Sequence, residues 1–182
     1  MTRTRTFSLI GIAAAGALAF ATMAHASLPV GAKAPDFDTR GAMAGKIFDF
    51  NLAKELKKGP VVLYFFPAAF TPGCTAEAHE FAETVDEFKK AGATVIGMSA
   101  DPVDKLAEFS TSECRSKFAV ASAGPKIIED YNVALTSIPG LSGKTDRTSY
   151  VITKQGKIAY AYTNLDFKEH VKNTLAAVQA LK

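Results

Sequence analysis

Cysteine is scarce in this 182-residue chain: there are two, Cys74 and Cys114. They stand 40 residues apart, so there is no C-x-x-C pair, and a thiol–disulfide oxidoreductase would lack its second sulfur. The C-x-x-x-C and histidine set of a copper chaperone is missing too, because position 78 is Ala78. Charge of one sign is also in short supply. The net charge is +3 and the lysines are scattered. The pairs Lys57-Lys58 and Lys89-Lys90 fall at expected helix ends, where they suit the helix dipole. That pattern excludes a basic nucleic-acid surface. No internal repeat or low-complexity segment follows residue 26, and the long alanine-rich apolar run is confined to the N-terminus.

That N-terminus carries Arg3 and Arg5, an apolar stretch from Phe7 to about Met23, and Ala24-His25-Ala26. These are the three parts of a secretory signal peptide. The stretch is near the lower limit for spanning a bilayer, roughly 17–25 residues, and runs straight into a polar segment. The reading is a signal peptide over 1–26, cleavage after Ala26, a mature domain over 27–182, and export, to a periplasm. Arg3 and Arg5 are not adjacent, which argues against twin-arginine export, and no cysteine follows the run to take a lipid. The mature length suits one domain with a single core. In an oxidising compartment two cysteines have a simple explanation, a structural Cys74–Cys114 disulfide in a non-catalytic domain.

Along the chain, Leu28 to Asp36 is an irregular arm with Pro29 and Pro35, and Ile47 to Phe50 a short strand near an edge. Val61 to Phe66 is continuously apolar, as a strand buried on both faces must be, and Pro67 stops it. A helix is expected from about Cys74 to Lys90, because Ala78, Phe81, Val85 and Phe88 form one stripe. Glu77 and Glu80 lie in its first turns, Lys89 and Lys90 in its last, and Gly92 closes it. Thr94 to Met98 is a second buried strand, Pro102 to about Thr111 a helix, Tyr150 to Tyr162 a hairpin, and Asp166 to Leu181 a closing amphipathic helix. Strand–helix alternation followed by hairpin and helix gives a three-layer α/β sandwich of thioredoxin-like order, with a central mixed sheet.

Cys74 is thus placed where a buried strand has ended and a helix begins. The first helical turn has free N–H groups and the positive end of the dipole, and a thiol there is favoured as thiolate, the form that attacks. Cys74, Ala78 and Phe81 share a helix face, so the sulfur points coreward. A half-buried thiolate at a helix N-terminus makes a sensible nucleophile and a costly structural crosslink.

The pattern Pro67-x-x-x-Thr71-x-x-Cys74 resembles the active-site motif of the peroxiredoxins. Thr71-Pro72-Gly73-Cys74-Thr75 resembles their bacterioferritin comigratory protein, or peroxiredoxin Q, branch. Ala34-Pro35-Asp36-Phe37 and Asp146-Arg147-Thr148-Ser149-Tyr150-Val151-Ile152 extend the resemblance over most of the chain. It implies a thiol-dependent peroxidase. Cys74 would attack a hydroperoxide and become a sulfenic acid. Thr71 would offer its hydroxyl to the thiolate and the peroxide. Arg147 would favour the thiolate and stabilise charge across the breaking O–O bond, and Pro67 would shield the sulfur from water. No cofactor or metal is implied. The implied partners are a hydroperoxide and a thioredoxin-like or small-thiol reductant, with membranes involved only through lipid hydroperoxides, and the chain is expected as a monomer or weak homodimer.

Many relatives of that branch carry a resolving cysteine five residues after the first, where this chain has His79. His79 lies roughly 140° around the helix from Cys74 and is read as solvated. His170 is read as a surface residue. Cys114, in the polar stretch Ser112-Glu113-Cys114-Arg115-Ser116, is expected to be exposed or mobile. It would resolve the sulfenic acid within the chain; pairing between subunits or an external thiol are the alternatives. The segment Ala68-Ala69-Phe70, where relatives often carry polar residues, implies an apolar mouth that suits organic hydroperoxides.

Overall fold

The computed structural model describes residues 27–181; the expected signal peptide lies outside them. The apolar run at 61–66 forms β3 (Val61–Phe65), whose five residues are all fully buried. Alternation splits its side chains between two cores. Val61, Leu63 and Phe65 pack with Phe37, Leu56, Ile127 and Ile128. Val62 and Tyr64 face Phe81, Phe88, Phe109 and Val178. Two cores on opposite faces of one sheet make the expected three layers.

The sheet has seven strands: β1 (Asp38–Met43), β2 (Lys46–Asn51), β3, β4 (Thr94–Ser99), β5 (Ala119–Ser122), β6 (Thr148–Ile152) and β7 (Ile158–Thr163). Their spatial order is β2-β1-β5-β4-β3-β6-β7. The β3–β4 and β4–β5 pairs are parallel and the others antiparallel, so the sheet is mixed. Gly97 sits opposite Tyr64; a Cβ there would come within 2.8 Å of the tyrosine ring, so the strand needs glycine at this point. One face carries α2 (Pro72–Lys90), α3 (Val103–Ser112) and α5 (His170–Gln179), and the other α1 (Leu52–Leu56) and α4 (Pro125–Asp130).

The stripe Ala78, Phe81, Val85 and Phe88 is buried as its spacing requires, and Gly92, at φ +83°, follows the end of α2. Four elements carry no sequence expectation: β1, β5 and the short helices α1 and α4 run four to six residues, too short or too irregular to show a period, and pairing and packing form them. Two expectations are corrected. The last helix begins at His170 instead of Asp166. Ahead of it the Asp166 and Lys168 amides donate to the side chains of Asn164 and Asp166, turns that compete with a helix. Finally, Cys114 and His170 are both fully buried.

Candidate active site

Where β3 ends, the chain crosses a short loop into α2, and the loop is tied down from beneath. Thr145 donates its hydroxyl to the Phe66 carbonyl (2.6 Å), and the Ala69 amide donates to Asp101 Oδ2 (2.7 Å). Asp101 is buried, and burial alone would raise its pKa. Hydrogen bonds from Ser99 and Ala69, with Lys105 and Lys144 beside the carboxylate, outweigh that and hold it below its usual range. Phe70 is left-handed, φ +67°, which costs a non-glycine residue about 1–2 kcal/mol. Its ring lies edge-on to Phe109 (5.3 Å). The tether and the aromatic contact offset that cost and fix the approach to α2.

The helix starts with Pro72, which has no N–H, and its first backbone bond runs from the Thr75 amide to the Thr71 carbonyl (2.9 Å). Among the described residues, no group accepts from the Gly73 and Cys74 amides. Both N–H groups are thus left free at the positive helix end, in the turn that carries the Cys74 sulfur. Cys74 is 2% exposed.

Arg147 reaches this sulfur because of strand register. β6 runs antiparallel to β3, with Thr148 opposite Phe65, so the residue before Thr148 falls at the end of β3 where α2 begins. Each of its three nitrogens has a partner. Nε donates to the Leu165 carbonyl (2.9 Å), Nη1 pairs closely with Glu77 Oε2, and Nη2 lies 3.5 Å from Cys74 Sγ. Glu77 is fully buried one turn after Cys74. Burial pushes its carboxyl up to about 8, against the pull of Arg147. The burial of Arg147 disfavours its charge, but Glu77 and Cys74 outweigh that and hold its pKa above the ordinary value. A cation thus sits fixed beside the sulfur in a medium that screens it little.

Of the other expected residues, Pro67 is half-buried directly after Phe66. Thr71 is exposed at the mouth. Its hydroxyl donates to the Ala68 carbonyl (2.9 Å) and does not bond the sulfur, which leaves its oxygen able to accept. Cys114 shares the apolar cluster of Cys74, and both thiols are free. Burial, with Glu113 adding, pushes the Cys114 thiol far up. The expectation that Cys114 is exposed or mobile is corrected. Its polar neighbours turn outward while it turns inward, and they hold the turn to α2. His79 Nε2 pairs with Glu113 (2.9 Å) and Arg115 with Glu83 (3.1 Å). His79, read as solvated, is half-exposed and makes this bridge.

His170, read as a surface residue, is 0% exposed between Ser149 and the Asn164 carbonyl. Glu77, read as a helix-dipole residue, also pairs with the guanidinium that approaches Cys74. Both had a signal in the sequence. Glu77 lies on the Cys74–Ala78–Phe81 face of α2, and His170 shares a stripe with Thr174 and Val178 on α5. A charged or titratable group at such a position needs a buried partner. Among the described residues no cluster of three metal-ligating side chains forms.

With this geometry in place, likeness to known proteins becomes specific. The AhpC/TSA family pattern matches residues 30–161. The chain belongs to this family. Within the peroxiredoxins it stands with the peroxiredoxin Q branch. It is 35% identical to a chloroplastic peroxiredoxin Q of Oryza sativa subsp. japonica over 152 residues, 83% of this chain and 67% of the relative. The crystal structure of peroxidoxin BcpB from Mycobacterium tuberculosis superposes with a TM-score of 0.75 at 30% identity, covering 84% of this chain and 97% of that one. A cysteine-to-serine mutant of PrxQ from Xylella fastidiosa shares the fold (TM-score 0.75, 21% identity, covering 86% and 98%). The periplasmic expectation is corrected by these relatives. The peroxiredoxin Q proteins matched from rice, Sedum lineare and Arabidopsis thaliana are chloroplastic. Basic residues without acidic ones at an N-terminus also characterise organelle transit sequences, so such a segment does not specify export.

Proposed function

We propose that this thiol-dependent peroxidase works through Cys74, with Arg147, Thr71, Pro67 and the first turn of α2 around it. The sulfur attacks the terminal oxygen of a hydroperoxide. An S–O bond forms as the O–O bond breaks, Cys74 becomes a sulfenic acid, and the departing oxygen takes a proton and leaves as water or an alcohol. The observation that carries this reading is the 3.5 Å approach of Arg147 Nη2 to Cys74 Sγ beside the two unpartnered amides. These donors lie where negative charge develops on the separating oxygens. The Thr71 hydroxyl, already donating to Ala68, can accept the hydroperoxide O–H.

Cys114 completes the cycle by attacking the sulfenic sulfur, forming a disulfide and releasing water; a thioredoxin-like dithiol or two small thiols then reduce the disulfide. With both sulfurs buried, the first turn of α2 and the turn after α3 open to bring their disulfide within reach of the reductant. Arg115 and Ser116, both left-handed (φ +51° and +58°), give the second turn stored strain that favours opening. Phe70 and Leu165, each 44% exposed, and the half-buried Phe167 make the surroundings apolar, which supports organic hydroperoxides as substrates beside hydrogen peroxide. Cys74→Ser should abolish peroxide consumption by the reduced protein; retained activity refutes the reading. Mass spectrometry of the peroxide-treated protein should show an intramolecular Cys74–Cys114 bond. An intersubunit bond or a lone sulfenic acid refutes the resolving role of Cys114 within the chain. Cumene hydroperoxide should compete well with hydrogen peroxide, and a strong preference for the latter would remove the apolar-mouth argument.

A further inference from the structure

The thiolate chemistry just proposed depends on where the Arg147 guanidinium points, and one buried side chain lies against one of that cation's other supports and is bonded to the residue next to the second. We infer that His170 is a positioning residue for Arg147. The inference rests on the reading of Cys74 as the attacking sulfur.

Arg147 aims Nη2 at Cys74 only while Nε and Nη1 are held, and they are held by the Leu165 carbonyl and by Glu77. The Leu165 carbonyl belongs to the turn after β7. That turn is fixed to the Arg147 backbone through the Asn164 amide, which donates to the Arg147 carbonyl (3.1 Å). The Asn164 carbonyl takes the hydrogen bond from His170 Nε2 (2.9 Å). A carbonyl only accepts, so Nε2 carries the proton. Burial pushes the imidazole down to about 4, so it is neutral at pH 7 and Nδ1 is an acceptor. The Ser149 hydroxyl supplies the donor to Nδ1 (2.8 Å) and so locks the tautomer that grips Asn164.

On its other side Nδ1 lies 3.9 Å from Glu77 Oε1, a buried oxygen with no hydrogen-bond partner among the described residues. His170 therefore anchors the turn that holds Nε and abuts the Glu77 carboxyl that holds Nη1. Tyr162 packs across its ring at 4.8 Å and closes the position. Released from the Asn164 carbonyl, the turn and Leu165 can drift, and the guanidinium swings away from the sulfur.

The test measures two properties in a Cys114→Ser background. One is the rate of Cys74 oxidation by hydrogen peroxide; the other is the pH profile of Cys74 alkylation by iodoacetamide. His170→Leu should slow oxidation roughly ten- to a hundredfold and move the alkylation profile to higher pH, as misplacement of one catalytic group does. In His170→Gln the side-chain amide can donate to Asn164 as Nε2 does, so both properties should return to within about threefold of the parent. A folded His170→Leu protein with the parental rate and profile overturns the inference. So does a His170→Gln protein as impaired as His170→Leu. Should His170→Leu fail to fold, Ser149→Ala leaves the ring in place and only unlocks its tautomer. It should shift the profile in the same direction by a smaller amount, and an unmoved profile again overturns the inference. The alkylation profile reports the hold of Arg147 on the sulfur even if peroxide proves not to be a substrate. Failure of the Cys74 reading, seen as an inert parent, is thereby distinguished from failure of this one.

Discussion

Cys74 and Cys114 are nearly equal in burial, 2% and 0% exposed, and lie in the same apolar cluster. Their electrostatic surroundings are opposite. Cys74 has a guanidinium nitrogen at 3.5 Å, two free amides and the positive end of a 19-residue helix. Cys114 follows the negative end of α3, next to Glu113, and burial pushes its thiol far up. Burial alone makes a thiol inert; burial beside a fixed cation makes it a nucleophile. Under the proposed function, this difference makes Cys74 the sulfur that attacks first and Cys114 the one that follows.

Removing the cation should erase most of that difference. Arg147→Leu should make Cys74 behave like Cys114, with the peroxide rate falling about 10²–10³-fold, the loss seen when one preorganised donor is removed. Glu77 would be left buried without its partner, so stability should fall as well, by about 1–3 kcal/mol in denaturant unfolding. Arg147→Lys should recover little, because a lysine has one nitrogen where Arg147 uses three. A fast Arg147→Leu enzyme would show that the amides alone suffice.

The support on the Cys74 side can be tested by pH. The His170 pKa is lowered to about 4 in the fold by burial, whereas an unfolded histidine titrates near 6.5. Between these values the unfolded chain binds the extra proton, so stability falls as pH drops from about 6.5 to about 4, by about 3 kcal/mol in all. Glu77 on α2, Arg147 beside β6, Tyr162 on β7 and Asp166 in the turn face the ring. Glu77 works in the opposite sense: its raised pKa costs stability as pH rises from about 4.5 towards 8. The two contributions separate only by difference. The stability of the parent minus that of His170→Gln should decline across the acid window, and a flat difference would show that the ring is already solvated.

How far these surroundings could be read beforehand follows from where each signal resides. The buried strand at 61–65, the stripe along α2 and the hairpin are repeating patterns of neighbouring residues, and so they were legible. Cys74, Thr71 and Pro67 stand out as candidates because they share one stretch of chain. Arg147 is a candidate only through the family resemblance, and the reason it reaches the sulfur, the pairing of Phe65 with Thr148, is a register that no local pattern carries. Cys114 and His170 were misjudged for a common reason. Polar neighbours show that a segment meets water, but not which way one side chain in it turns. Glu77 shows the converse case, a charge on an apolar face that is stable only because Arg147, 70 residues away, meets it.

The loop beneath Cys74 should give a smaller effect. Asp101→Ala removes the acceptor of the Ala69 amide and leaves buried donors unpaired. A cost of about 1–3 kcal/mol is expected. Hydrogen exchange of the Ala69 amide should rise more than that of the β3 amides, because the tether is local. Equal acceleration throughout would mean that Asp101 supports the whole sheet.

The smallest effect belongs to Cys114, whose turn is held to α2 by the His79–Glu113 and Arg115–Glu83 pairs. His79 and Glu113 are 36% and 20% exposed, so solvent screens the pair and its worth is about 0.5 kcal/mol. Glu113→Gln should therefore speed formation of the Cys74–Cys114 bond about twofold after a peroxide pulse, by easing Cys114 out of its buried site. Quenched alkylation and mass spectrometry would time the step. Because both pairs are at the surface, salt should accelerate the parent enzyme and affect a Glu113→Gln, Arg115→Ala double variant much less. Acceleration by salt that persists in the double variant would place the barrier in the unwinding of α2, on the Cys74 side.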